Sequence, residues 1–182
     1  MAGAAMSLVE IRPPEPARDA ARVYALIERH RATLSQWMAG IVRPRSAADT
    51  EAFLWSQAEG NEEGRCAHRV ILVDGEIAGI CSLHGINAAH RYARLGYWLA
   101  DSHVGRGVMS RALALLMRYA FEELGLHRLE LGCAPENLRS CRVAERLGFR
   151  LEGELRDAQL LNGRFWNMRC YGLLADEWKN RR

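Results

Sequence analysis

Leu8, Val9 and Ile11 form a short apolar run that Pro13 and Pro14 stop, after which Ala20, Tyr24, Ile27 and Leu34 recur at near-helical spacing. The pattern predicts a strand followed by an amphipathic helix. Ser46-Ala47-Ala48-Asp49 reads as a capping box for a second helix through Phe53 and Ala58, which Gly60-Asn61 is expected to end. Residues 65–73 and 76–83 are rich in β-branched side chains and are joined by Asp74-Gly75. That pair suits a two-residue turn in which both positions need positive φ, so a hairpin is predicted.

Residues 92–100 predict the next strand, 109–124 a helix and 128–134 another strand. Strand, helix and strand in succession imply a parallel crossover. Residues 137–147 predict a last core helix, and 149–161 and 165–174 a closing antiparallel hairpin turning at Asn162-Gly163. Loose ends are expected before about Ser7 and after about Asp176. The fold class is therefore α/β, a mixed sheet with flanking helices.

With 182 residues, 49% hydrophobic and 26% charged, the chain fits one globular domain, residues 1–182, with its core at about 8–177. The formal net charge of +3 is spread without a basic stripe, which points away from nucleic acid as a partner. Cys66, Cys81, Cys133, Cys141 and Cys170 are odd in number and lack metal spacing, so neither a disulfide framework nor a bound metal is expected. No secretory signal stands at residues 1–14, and no apolar run approaches the ~18 residues of a membrane span. A cytoplasmic protein with no membrane partner is the expectation.

Candidate chemistry begins at Leu95-Gly96-Tyr97-Trp98-Leu99, which leads to Val104-Gly105-Arg106-Gly107-Val108-Met109-Ser110 and then to the apolar helix pattern. A strand running into a glycine-rich turn that opens onto a helix gathers unpaired N–H groups and the positive end of the helix dipole at one point. Residues Gly105, Arg106, Gly107, Val108, Met109 and Ser110 are thus a candidate seat for a phosphate or pyrophosphate. A short Gly-x-Gly is also found in plain turns, and a dinucleotide fingerprint would need a third glycine where Ser110 stands. The Gly-Tyr-Trp-Leu strand also suits any buried sheet. Further on, Asn137-Leu138-Arg139-Ser140 starts a helix that leaves through Glu145-Arg146-Leu147-Gly148-Phe149.

The two blocks, in this order and at this distance, resemble the acetyl-CoA-binding core of the GCN5-related N-acetyltransferases (GNAT superfamily). The run from Asn137 to Phe149 is similar to that of the RimJ/RimL subgroup, whose members acetylate the N-termini of ribosomal proteins. The resemblance implies the GNAT fold, a sheet splayed between two parallel strands, and acetyl-CoA as co-substrate without a metal. It implies that backbone groups near Trp98 and Leu99 pair with pantetheine, with Gly96 at a bulge. The family loop pattern Gln/Arg-x-x-Gly-x-Gly/Ala lands on residues 104–109, where Gly107 matches and Val104 and Met109 do not. Many members carry a tyrosine at the position of Ala144. Here Ser140, beside the helix-start residue Asn137, is the substitute that would hydrogen-bond the departing thiolate, although the same spacing also suits a helix cap.

The implied reaction is direct attack of an amine on the thioester, with no covalent enzyme intermediate, which leaves Cys133 and Cys141 as core residues. His84, at the end of a strand, is the candidate base. The carboxylates that related enzymes often carry at the positions of Gln159 and Arg94 are absent. Acceptor recognition is expected from residues 31–45 with Trp37, from His84 and Gln159, and from Asn162, Arg164, Phe165 and Trp166. The resemblance points to an N-terminal serine as acceptor, and an α-amine sheds its proton more readily than lysine, with a pKa near 8 against ~10.4. A small-molecule amine (polyamine, aminoglycoside or aminoacyl-nucleotide toxin) is the alternative, and a non-catalytic CoA-binding or peptide-binding module another. A homodimer is compatible with the sequence.

Overall fold

Pro13 and Pro14 close the first strand, β1 (Val9–Arg12), and Pro16 sits at the start of the first helix, α1 (Pro16–Leu34). A computed structural model describes residues 7–42 and 44–181. The Arg12 guanidinium donates to both oxygens of the buried Asp19 carboxylate at 2.7 Å each, tying β1 to the first turns of α1. Val23 rather than Tyr24 joins Ala20, Ile27 and Leu34 on the buried face.

Helix α2 (Ala47–Glu62) starts at Ser46, whose hydroxyl accepts the Asp49 N–H at 3.1 Å. The Asp49 carboxylate returns to the N–H of Arg45 (2.8 Å) instead of the Ser46 N–H that a capping box would use. Contrary to the expected stop, α2 runs through Gly60 and Asn61, because both residues dock the helix on the sheet. A Cβ on Gly60 would lie 2.9 Å from the Cys66 sulfur. The Asn61 side chain accepts from the His68 N–H (2.6 Å) and donates to the His68 carbonyl (3.2 Å).

Strands β2 (Ala67–Val73) and β3 (Glu76–Asn87) form the expected hairpin, with φ of 51° at Asp74 and 83° at Gly75. Strand β4 (Tyr92–Leu99) leads to α3 (Val108–Arg118) and a wide π turn at Tyr119–Glu123. Then come β5 (Arg128–Cys133), α4 (Leu138–Leu147) and the hairpin β6 (Arg150–Leu161) and β7 (Arg164–Leu174). The expected loose C-terminal end begins instead with a short helix, α5 (Ala175–Lys179), because Trp178 packs against Phe121 with ring centroids 5.1 Å apart. The expected loose N-terminal end lies outside the described residues.

Among the described residues the sheet has seven strands in the order β1-β2-β3-β4-β5-β7-β6, of which only β4 and β5 are parallel neighbours. Helices α3 and α4 pack on one face, over Ile71, Cys81, Leu83, Leu95 and Leu129. Helices α1 and α2 cover the other face only as far as Val70, Ile80 and Trp98. Pairing of β4 with β5 runs from Tyr92↔Arg128 to Leu95↔Leu131 and then stops, although β4 continues to Leu99 and β5 to Cys133. The sheet thus splays from Gly96 onward. Gly96 is not at a bulge as expected: Ser82↔Gly96 is in regular register, and the irregularity of that pair lies between His84 and Asn87.

Candidate functional site

A cleft of about 1180 Å³ opens where β4 and β5 part. At one end Gly105 (φ 80°) and Gly107 (φ 71°) turn the chain into α3, in a backbone region that L side chains rarely adopt. The first bond of the helix is Arg111 N–H to the Gly107 carbonyl at 3.1 Å, so the N–H groups of its opening turn have no helical carbonyl to meet. The Arg111 guanidinium braces the loop through the carbonyls of Ser7 (2.6 Å) and Arg106 (3.4 Å). Val108 and Met109 are buried in the core and also line the cleft. Arg106 is exposed but does not line the cleft, unlike the other five predicted loop residues. Arg139, Arg142 and Arg146 on α4 line the cleft and are exposed along its rim. Their spacing along one helical face was readable in the sequence and was missed. Together these groups suit an anionic ligand bearing phosphates.

Deeper in, Trp98, buried beneath α1, and the half-buried Leu99 on the splayed edge both line the cleft. Asn137 caps α4, its side chain accepting the Ser140 N–H at 3.2 Å. The Ser140 hydroxyl is not itself a cap. It lies 2.7 Å from the hydroxyl of Tyr97, a residue not singled out from sequence. Strand alternation carried the signal: Gly96 and Trp98 face the α1 side, so Tyr97 must face α4. Cys133 and Cys141 are buried with sulfurs 3.5 Å apart, and burial pushes the Cys133 thiol up to about 12.

On the opposite face of the sheet, the His84 ring stands over Gly96. Desolvation in the cleft wall, with the Arg94 charge second, holds this imidazole below its ordinary range. Beside it, Arg94 donates to Glu130 (3.1 Å), and Arg128 donates to Glu130 (3.0 Å) and to Glu152 (2.7 Å). Asp101, another lining carboxylate, lies 3.2 Å from His30 Nδ1. Trp37 is in a turn just past the end of α1 and meets Trp166 edge to face at 5.6 Å. Gln159 lines the cleft opposite Trp166 in the β6/β7 register. Of the other expected acceptor residues, Arg164 stacks on Trp166 (4.1 Å), Asn162 bonds the Ser35 carbonyl (3.0 Å), and Phe165 is exposed outside the lining. Arg43, in the expected acceptor segment, lies outside the described residues. Among the described residues no group of three or more His, Cys, Asp or Glu could hold a metal ion, and no helix is long and apolar enough to cross a membrane.

Residues 9–150 match the model of the acetyltransferase (GNAT) domain. The Bacillus subtilis (strain 168) protein YdaF is 37% identical over 175 residues, covering 94% of this chain and 93% of its own. Spermidine N(1)-acetyltransferase of Escherichia coli (strain K12) is 37% identical over 98 residues, 54% of this chain and 53% of its own. Among solved structures, RimL, a ribosomal L7/L12 alpha-N-protein acetyltransferase in complex with coenzyme A, superposes with a TM-score of 0.88 at 28% identity, covering 93% of this chain and 95% of that one.

Proposed function

The chain belongs to the acetyltransferase (GNAT) family, and from that premise we propose that it carries acetyl from acetyl-CoA to the N-terminal α-amine of a protein, as a RimJ/RimL-like enzyme with serine-terminated ribosomal proteins as the acceptor class. The observation that carries this reading is the division of the cleft by the splayed strands. Ser140 faces it from the α4 side, and His84 faces it from the other. The loop at residues 105–110 and the arginines of α4 would hold the CoA phosphates, and the free edge of β4 would pair with the pantetheine amides.

His84, kept neutral by its surroundings, takes the proton that the amine sheds, directly or through one water. The amine nitrogen bonds to the acetyl carbon as the carbon–sulfur bond breaks, and the electron pair leaves on sulfur. Ser140 donates a hydrogen bond to that sulfur, and the thiolate takes its proton from solvent. The charge balance of the cleft supports an α-amine acceptor. Glu130 and Glu152 are each paired with an arginine, so neither stands ready for the extra charges of a polyamine. A second reading, a small-molecule amine acceptor, draws support from the likeness to the spermidine enzyme over half the chain.

The test is an acceptor panel with acetyl-CoA: a peptide with a free N-terminal serine and an internal lysine, the same peptide with its N-terminus blocked, and spermidine. Acetyl on the α-amine of the first peptide, located by mass spectrometry, is the expected outcome. Acetyl on lysine or on spermidine alone would move the assignment to the second reading, and no thiol release with any acceptor would remove the enzymatic one.

A further inference from the structure

We propose that Tyr97 is a positioning residue for Ser140, its phenol donating to the Ser140 oxygen so that the serine proton is left free to meet the leaving sulfur. The inference rests on the acetyl-transfer reading above. The two oxygens are 2.7 Å apart, a normal hydroxyl pair. A phenol is the more acidic partner and an alcohol oxygen the better acceptor, which sets the direction of the bond.

Tyr97 is held from both sides. Its strand is paired with β3 through Cys81↔Tyr97, and its ring packs against the core beneath α4. The serine is fixed as firmly, because the Asn137 cap holds its own N–H. Two anchored groups joined by one short bond fix the serine oxygen, whose proton then turns between the neighbouring Cys133 sulfur and the leaving one, and an oriented donor stabilises developing charge better than one that must reorganise. Burial raises the Tyr97 phenol well above its usual range, so it keeps its proton throughout. Charge, and not a proton, is passed along the pair: as negative charge grows on sulfur, the Ser140 bond to it strengthens, and the Tyr97 bond to Ser140 strengthens in turn. The residue at 144, a tyrosine in many relatives, is here a buried Ala144, so the phenol on this side of the cleft comes from the strand.

A double-mutant cycle tests the pair. Tyr97→Phe keeps the ring and removes the bond, and should lower kcat by up to roughly tenfold with KM for acetyl-CoA nearly unchanged, while loss of the same bond from the resting protein lowers the melting temperature by a few degrees. In a Ser140→Ala background the same substitution should cost nothing further. Wild-type turnover of Tyr97→Phe beside a slow Ser140→Ala enzyme would overturn this inference and leave the proposed function standing. An equal loss in both backgrounds would overturn it too, since Tyr97 would then act independently of the serine. Wild-type turnover of Ser140→Ala would sink the serine's role and Tyr97's with it.

Discussion

A Cβ placed on Gly96 would lie 3.2 Å from Cε1 and 3.3 Å from Nδ1 of the His84 ring. That is tighter than ordinary contact, so the absence of a side chain at 96 sets where the imidazole stands. Gly96→Ala should push the ring away by a few tenths of an ångström without disturbing the β3/β4 register, which is regular there. Proton transfer depends on hydrogen-bond reach, so kcat should fall by up to roughly tenfold while the melting temperature barely moves. Unchanged kcat would mean that the position of His84 is not used in turnover.

Asn137 and Ser140 separate stability from chemistry at the start of α4. Asn137 is the cap, and Asn137→Ala should cost about 0.5–2 kcal/mol of stability, read as a lower melting temperature. Ser140 gives its backbone to that cap and its side chain to Tyr97. Ser140→Ala should therefore lower kcat by roughly 10²–10⁴ with KM for acetyl-CoA little changed and most of the stability retained. A serine variant with normal turnover and a lowered melting point would reverse the two assignments.

At Gly107 the obstacle to a side chain is the backbone conformation and not a neighbour. An added Cβ meets nothing within 4 Å, but φ is 71°. Gly107→Val forces a β-branched residue into the left-handed region at a cost of about 1–2 kcal/mol or more, and the loop should relax by moving its N–H groups off the ligand. Calorimetry should show CoA binding weakened at least about tenfold in a folded protein. Unchanged affinity would remove this loop from the CoA site.

Much of this architecture was legible because its signals are local. Asp74-Gly75 and Asn162-Gly163 need the positive φ that their turns show, and the 95–99 strand with its following loop defined one wall of the cleft. What escaped were properties of contacts between distant segments. Gly60 and Asn61 look like a helix stop until Cys66 and His68 are set against them. Gly96 looks like a bulge until His84 is placed above it, and the end of pairing at Leu95↔Leu131 has no signature in either strand alone. Tyr97 read as one more aromatic residue in a sheet, since its partner is 43 residues away. Arg106 shows the reverse: a basic residue in a phosphate loop is an attractive candidate, yet the arginines that line the cleft come from β4, β5 and α4.

His68 should make the fold sensitive to mild acid. It is buried on β2 with Nε2 unpartnered, and burial, with the Arg69 charge second, pushes its pKa down to about 4. Above about pH 6.5 the imidazole is neutral in both folded and unfolded chains and costs nothing. Between there and pH 4 the unfolded chain binds a proton that the folded one refuses, so stability falls as pH falls, by about 2 kcal/mol at pH 5. For a chain of this size that is roughly 4–8 °C of melting temperature between pH 7 and pH 5 from this residue. His68→Gln removes the titration while keeping a polar side chain, and whatever its absolute stability, its loss on acidification should be smaller by that amount. An identical pH slope in both proteins would show that the imidazole is protonated as readily in the folded chain as in the unfolded one.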